Sequence, residues 1–154
     1  MLFLLFRLGK DRYALDTAQI AEIVPLVSIK HIPHAPPGLA GLINYRGTPI
    51  PAIDLSQLTL GHAAQPRLST RIVVMRCAFT GDEMRPLGLI AERATETLRR
   101  EPSDFAPSGV NAEATPYLGP VCLHHDQWIQ WVQADHLLSA PMREVLSAAP
   151  AGDS

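Results

Sequence analysis

Cysteine, aromatic side chains and long apolar runs are all scarce in this chain, and each scarcity closes off a class of function. The two cysteines, Cys77 and Cys122, lie far apart in apolar, strand-like segments without a C-x-x-C spacing. Neither a zinc knuckle nor a redox pair is expected, and both read as reduced core thiols. The apolar opening Met1–Phe6 stops at Arg7 and is followed by Lys10, Asp11 and Arg12, well short of the roughly 18 residues of a membrane span. No membrane insertion is expected, and the cytoplasm follows by default. Charged residues make up 18% of the chain and nearly balance, 13 basic against 15 acidic for a net −2, so there is no basic face of the kind nucleic acid selects. With aromatics at 6%, a barrel that stacks single-stranded bases is only a remote alternative.

Catalytic devices are missing as well. Gly9-Lys10 has no glycine cradle for a phosphate, and neither G-x-G-x-x-G nor G-x-S-x-G occurs. The carboxylates are scattered, so no general acid–base pair can be assembled from them. His31 and His34 flank Pro33 in a turn, and the adjacent His124 and His125 are expected on opposite faces of a strand, which argues against a metal site. The chain is read as a non-enzyme without metal or cofactor.

What is present is punctuation. Fourteen prolines and ten glycines cut the sequence into apolar runs of strand length, the pattern of an all-β domain with short helices. Strands are predicted near Leu2–Leu8, Arg12–Leu15, Pro25–Ile32, Leu39–Tyr45, Thr48–Ile53, Arg71–Phe79, Arg85–Ala91, Thr95–Leu98, Pro120–Leu123 and Gln127–Val132. At 154 residues these form one cooperative unit. Asp16 and Asp54 each stand three residues before a Gln, the capping-box spacing, and predict short helices carrying Ile20, Ile23 and Val24, and Leu55 and Leu58. A third turn is expected at Asp135–Leu138. A last helix from Pro141, with Met142, Val145 and Leu146 on one face, should plug a barrel end. A strand followed by a Leu-rich turn recurs at Ile50–Leu58 and Trp131–Leu138, hinting at two similar halves. Arg99–Pro116 reads as a long loop, and 148–154 as a disordered tail.

The densest segment runs from Ile32-Pro33 through Gly41-Leu42-Ile43-Asn44-Tyr45-Arg46-Gly47-Thr48-Pro49-Ile50-Pro51-Ala52-Ile53-Asp54-Leu55. Physically it is a β-hairpin with a tight turn at Arg46-Gly47, where Gly47 suits a positive φ and Arg46 should reach solvent. Its run G-L-I-N-x-R-G-x-x-I-P-x-I-D-L resembles the signature of the CheW-like coupling domain. Phe6-x-Leu8-Gly9, Tyr13-Ala14-Leu15-Asp16, Ile20-x-Glu22-Ile23 and Pro86-Leu87-Gly88-Leu89-Ile90 support the likeness.

The resemblance implies two packed, SH3-like, five-stranded β-barrels over residues 1–140; the helix and tail read from the residues themselves follow at 141–154. It implies an adaptor that grips the cytoplasmic hairpin tip of a chemoreceptor and also binds the regulatory domain of a CheA-like histidine kinase. A scaffold serving a second-messenger or pilus system is the alternative within the family. Carried over by position, the receptor-facing groove would hold Ile20, Glu22, Ile23 and Arg46, and Gly41 with its hairpin would lie at the kinase-binding end. Ile20 and Ile23 are equally readable as the buried face of the first short helix. The second half departs from the family pattern: Glu92 stands where Asp is usual, and Trp131-Val132-Gln133 replaces Leu-Leu-Asp. Trp128 and Trp131 fall on opposite faces of their strand, with core or edge packing the expected fate and an exposed interface anchor the alternative.

Overall fold

The computed structural model describes residues 1–80, 83–110 and 112–147. Nine strands occur among those residues: β1 (Leu2–Leu8), β2 (Asp11–Asp16), β3 (Ile20–Pro25), β4 (Leu39–Tyr45), β5 (Thr48–Asp54), β6 (Arg71–Thr80), β7 (Glu83–Arg99), β8 (Leu118–His124) and β9 (Gln127–Val132). Two α-helices accompany them, α1 (Leu55–Leu60) and α2 (Ala140–Ser147). The long β7 belongs to two sheets. Its first half pairs with β6 and β5, to which β3 and β4 are joined; its second half pairs with β1, followed by β2, β9 and β8. Nine strands thus make two five-stranded barrels of the expected SH3-like kind.

The two halves repeat the same closing device. In each, one strand pair is parallel, β5 with β7 and β2 with β9. In each, the segment after an edge strand forms a single bridge to the opposite edge, Lys30 with Leu42 and Ala106 with Val121. The strand-then-turn echo in the sequence falls on β5 with α1 and on β9 with a 3-10 turn at Ala134–His136.

Burial divides into three clusters. Phe3, Leu5, Ala14, Cys122 and Ile129 fill the first barrel; Ile43, Ile50, Ala52, Ile72, Val74 and Ile90 fill the second. The largest cluster lies on the faces shared by both, with Phe6, Leu15, Ile53, Met75, Leu87, Leu89 and Met142 among its members. A core common to both barrels makes them one unit rather than two domains. Cys77 is in this shared core and Cys122 in the first barrel, both free and buried.

Several expectations need correction. Asp16 caps only a 3-10 turn, Thr17–Gln19, and Ile20, Ile23 and Val24 then lie on β3 rather than on a helix. β-branched residues favour that pairing with β6, and Gln19 turns to Asp135 instead of closing a capping box. Of the strand predicted at Pro25–Ile32, Pro25 ends β3 and the rest is irregular apart from the Lys30 bridge. The two strands predicted at 85–91 and 95–98 are one strand, bent where Arg93 adopts a φ of 51°. The turn expected at Asp135–Leu138 is a 3-10 turn one residue earlier. Met142 and Leu146 of α2 enter the shared core, while Val145 faces solvent; the helix covers the joint between barrels rather than plugging one. The 148–154 tail lies outside the described residues.

Candidate functional site

The candidate site is built on the tip of the β4–β5 hairpin. Tyr45 pairs with Thr48, leaving a two-residue turn in which Arg46 and Gly47 both have positive φ, 53° and 84°. This is the turn geometry whose twist suits a hairpin. Asn44 secures it by accepting the Gly47 N–H at 2.7 Å on its side-chain oxygen. The N-x-R-G spacing is therefore a folding instruction that also aims Arg46 outward.

From the turn, Arg46 reaches back to β3. Its Nη2 donates to Glu22 Oε1 at 2.7 Å, and the Tyr45 hydroxyl donates to the same oxygen at 3.1 Å. The Arg46 guanidinium also lies 5.5 Å from the centre of the Tyr45 ring. The hydrogen bond that Arg46 donates to Glu22, and then the charge of Glu22, raise the Arg46 pKa above its ordinary value. The side chains remain accessible, Arg46 at 74% and Glu22 at 35% of full exposure. The cluster therefore shows a partner both cationic donors and a carboxylate.

Of the residues placed in the receptor groove from sequence, the structure brings Glu22 and Arg46 together and leaves Ile20 and Ile23 apart. Ile20 packs against the shared core. Ile23, next to Glu22 on β3, points to the other face of the strand and is 38% exposed. Sequence reading missed Tyr45, although its place between Asn44 and Arg46 in the hairpin signature was the available signal.

Gly41 is buried in β4 at a bulge, with φ 151°. A Cβ there would run into the Lys30 carbonyl oxygen. That space is filled by the chain's own Ile29–Lys30 segment as it bridges to Leu42, not by the end of the other barrel. Beside it, Lys30, Leu42, Ile43, Asn44, Gly47 and Pro49 line an open cavity of about 270 Å³ on the hairpin.

Asp54, the acidic residue of I-D-L, is structural. One carboxylate oxygen accepts the Ser56 and Gln57 N–H groups at 3.0 and 3.1 Å, and the other accepts that of Ala64 at 3.0 Å. Gln57, expected to complete a capping box, donates instead to the Gly61 carbonyl at the other end of α1. His124 and His125 do not oppose each other across a strand. His125 is in the turn after β8 at φ 50°, and the ring centres are 4.1 Å apart. Among the described residues no three His, Cys, Asp or Glu side chains are grouped to hold a metal ion, and no helix is long and apolar enough to cross a membrane. Of the two tryptophans, Trp131 packs edge-on to Phe3 with ring centres 4.9 Å apart, whereas Trp128 is 62% exposed.

The CheW-like domain family model matches residues 2–142. Chemotaxis protein CheW of Rhizobium meliloti is 27% identical over 103 residues, 67% of this chain and 63% of that protein. Chemotaxis protein CheW of Helicobacter pylori is 31% identical over 106 residues, 68% of this chain and 61% of that one. The matched region thus spans less than two thirds of either relative. The crystal structure of scaffolding protein TtCheW from Thermoanaerobacter tengcongensis superposes with a TM-score of 0.79 at 25% identity, over 92% of this chain and 89% of that one.

Proposed function

This chain belongs to the CheW-like domain family, and we propose that it is a non-catalytic scaffold coupling the cytoplasmic hairpin tip of a chemoreceptor to a CheA-like histidine kinase in a chemosensory array. The observation that carries the reading is the Glu22–Tyr45–Arg46 cluster. A rigid turn presents an exposed guanidinium and a carboxylate side by side, and a helical hairpin offers the complementary acidic and amide side chains. Planar guanidinium groups recognise carboxylates by paired hydrogen bonds. Ile23, exposed on the other face of β3, lies outside the cluster, and Ile20 supports β3 from beneath.

The kinase regulatory domain is assigned to the opposite flank of the β4–β5 hairpin, where Gly41 sets the backbone path and Leu42 and Pro49 line the open cavity. The scaffold acts in the cytoplasm, without a cofactor, and is held at the membrane only through the receptor.

The test is a pair of titrations, against a receptor cytoplasmic fragment and against a kinase regulatory domain. Arg46→Glu should weaken receptor binding at least about tenfold, with the kinase affinity unchanged because the surfaces are separate. The exchanged pair Glu22→Arg with Arg46→Glu rebuilds the internal ion pair. Continued loss of receptor binding in that double variant shows that the charges face the partner. Wild-type receptor affinity in Arg46→Glu, or equal loss of both partners, would overturn the assignment.

A further inference from the structure

The bend of β7, remote from the hairpin tip, encloses a niche of unusual charge. Leu5 of β1 pairs with Glu96 and Arg7 with Glu92, so residues 93–95 of β7 bulge out opposite Phe6 alone. Bulges of this kind re-aim side chains and occur beside binding sites. Arg93 holds a φ of 51° here, a conformation that costs energy for a non-glycine residue and calls for a reason. The bulge is tied down by the Ala94 N–H, which donates to the Ser69 carbonyl at 3.2 Å.

The opening so made is a cavity of about 120 Å³, whose polar wall is formed by Arg7, Arg12, Ser69, Arg93, Thr95 and Glu96. Three arginines and one glutamate therefore line the same space. Arg12 pairs with that carboxylate, Nη2 to Glu96 Oε2, at 3.1 Å. Arg7 stands directly across from Arg12 on the neighbouring strand, and like charges so placed repel. Arg7 donates to the Lys10 carbonyl at 3.4 Å, a long bond. Glu92 lies across β1's other side from Arg7, but among the described residues the two form no ion pair, and the Arg93 side chain has neither ion pair nor hydrogen bond. Counting Glu92, the balance around the niche stays positive, with two of its three arginines weakly engaged or free.

We propose that this niche binds a tetrahedral oxyanion, a phosphate or sulfate group, through Arg7, Arg12 and Arg93. The planar forks of arginine match phosphate oxygens, and the cavity has room for a few water molecules, the size of one such ion. An anion here offsets the Arg7–Arg12 repulsion and gives Arg93 the partner that its strained backbone points toward.

The full chain should be titrated with inorganic phosphate at constant ionic strength, using chloride as the control, and followed by amide chemical shifts and thermal unfolding. Saturable shifts confined to the backbone around 5–7 and 92–96 are expected, with millimolar affinity and a midpoint temperature that rises with phosphate by mass action. Arg93→Asn keeps a residue that tolerates positive φ and should weaken binding about tenfold, the loss of one charge-assisted hydrogen bond. Arg7→Gln should weaken it likewise, and raise stability in phosphate-free buffer by removing the repulsion. Glycerol 3-phosphate distinguishes the source: equal affinity means that the group arrives on a larger molecule, and binding of the inorganic ion alone means a free anion. Shifts equal to those of chloride, or binding unchanged in both variants, would overturn the proposal.

Discussion

The two barrels share one plan but are filled with different materials. The buried interior of the second is aliphatic, with Ile43, Ile50, Ala52, Ile72, Val74 and Ile90, and its closure depends on a backbone crossing at Gly41 too close for any side chain. The first is packed with aromatic rings, Phe3 against Phe105 and Trp131 with ring centres 5.2 and 4.9 Å apart. The exits differ too. β5 ends at Asp54, whose carboxylate holds three backbone N–H groups and starts an α-helix; β9 is followed by Gln133, which gives no side-chain cap and leads into only a 3-10 turn. Close backbone approach and capping admit few residue types, whereas a cavity can be filled in many ways. The second barrel therefore carries the strict sequence signature, and the first departs from it without losing its fold.

Gly41→Asp attacks that comparison hardest. It forces a Cβ onto the Lys30 carbonyl and an L-residue into a glycine conformation, so unfolding or a loss above about 4 kcal/mol is expected in urea denaturation. Folding with near-native stability would show that the crossing adapts. Asp54→Ala leaves three amides without their acceptor and should cost about 2–3 kcal/mol, read by the same denaturation.

Alkaline pH separates the shared core from the first barrel. Burial first, then the charge of Asp135, push the Cys77 thiol up to about 12, from an ordinary 9.0. A folded-state pKa raised in this way contributes stability that is intact below about pH 9 and fades as pH climbs toward 12, by at most about 1.4 kcal/mol per pH unit. Cys77→Ala should flatten that part of the stability–pH curve. Tyr13 and Tyr117, also raised by burial, continue the decline above about 10 in both proteins. Burial raises the Cys122 thiol as well, opposed by Arg100 and aided by Asp104, but less than it raises Cys77, so Cys122 should label faster than Cys77 with a thiol reagent at pH 8. Equal rates would mean that one global opening exposes both.

The converse change sharpens the contrast at the barrel exits. Gln133→Asp places a capping carboxylate where the first barrel lacks one and should stabilise by about 0.5–1 kcal/mol. No gain would mean that the 3-10 turn is fixed by its neighbours, among them the Gln133 N–H donated to the Tyr117 carbonyl at 2.7 Å.

How much was legible follows from the same distinction. The hairpin, its turn, Asp54 as a cap, both buried thiols and the barrel pair were readable because each rests on a local rule or on a dense signature. β3 was misread as helix because Ile20, Ile23 and Val24 satisfy helical spacing, and only pairing with β6 decides against it. The continuity of β7 was hidden because its bend depends on a non-glycine residue at positive φ, a conformation that sequence reserves for Gly and Asn. At the site, Arg46 was visible from its turn, but its union with Glu22 and Tyr45 spans separate strands and no spacing rule reports it.

The smallest effect belongs to Trp128, and its value lies in the contrast with Trp131 on the same strand. Alternation along β9 turns the two rings to opposite faces: Trp131 is wedged among Phe3 and Phe105, while Trp128 stands 62% exposed between two open cavities. An exposed side chain removes little apolar surface from water, so Trp128→Ala should change stability by no more than about 0.5 kcal/mol. Trp131→Ala should cost several times that through lost packing. Fluorescence reads the pair without a partner. Trp131 alone, in the Trp128→Ala protein, should emit to the blue of wild type and be quenched less by iodide, because most of the quenchable fraction belongs to Trp128. A destabilisation comparable to that of Trp131→Ala would show instead that Trp128 holds Ala106–Ser108 and Leu118 against the barrel, making it part of the aromatic packing that distinguishes the first barrel from the second.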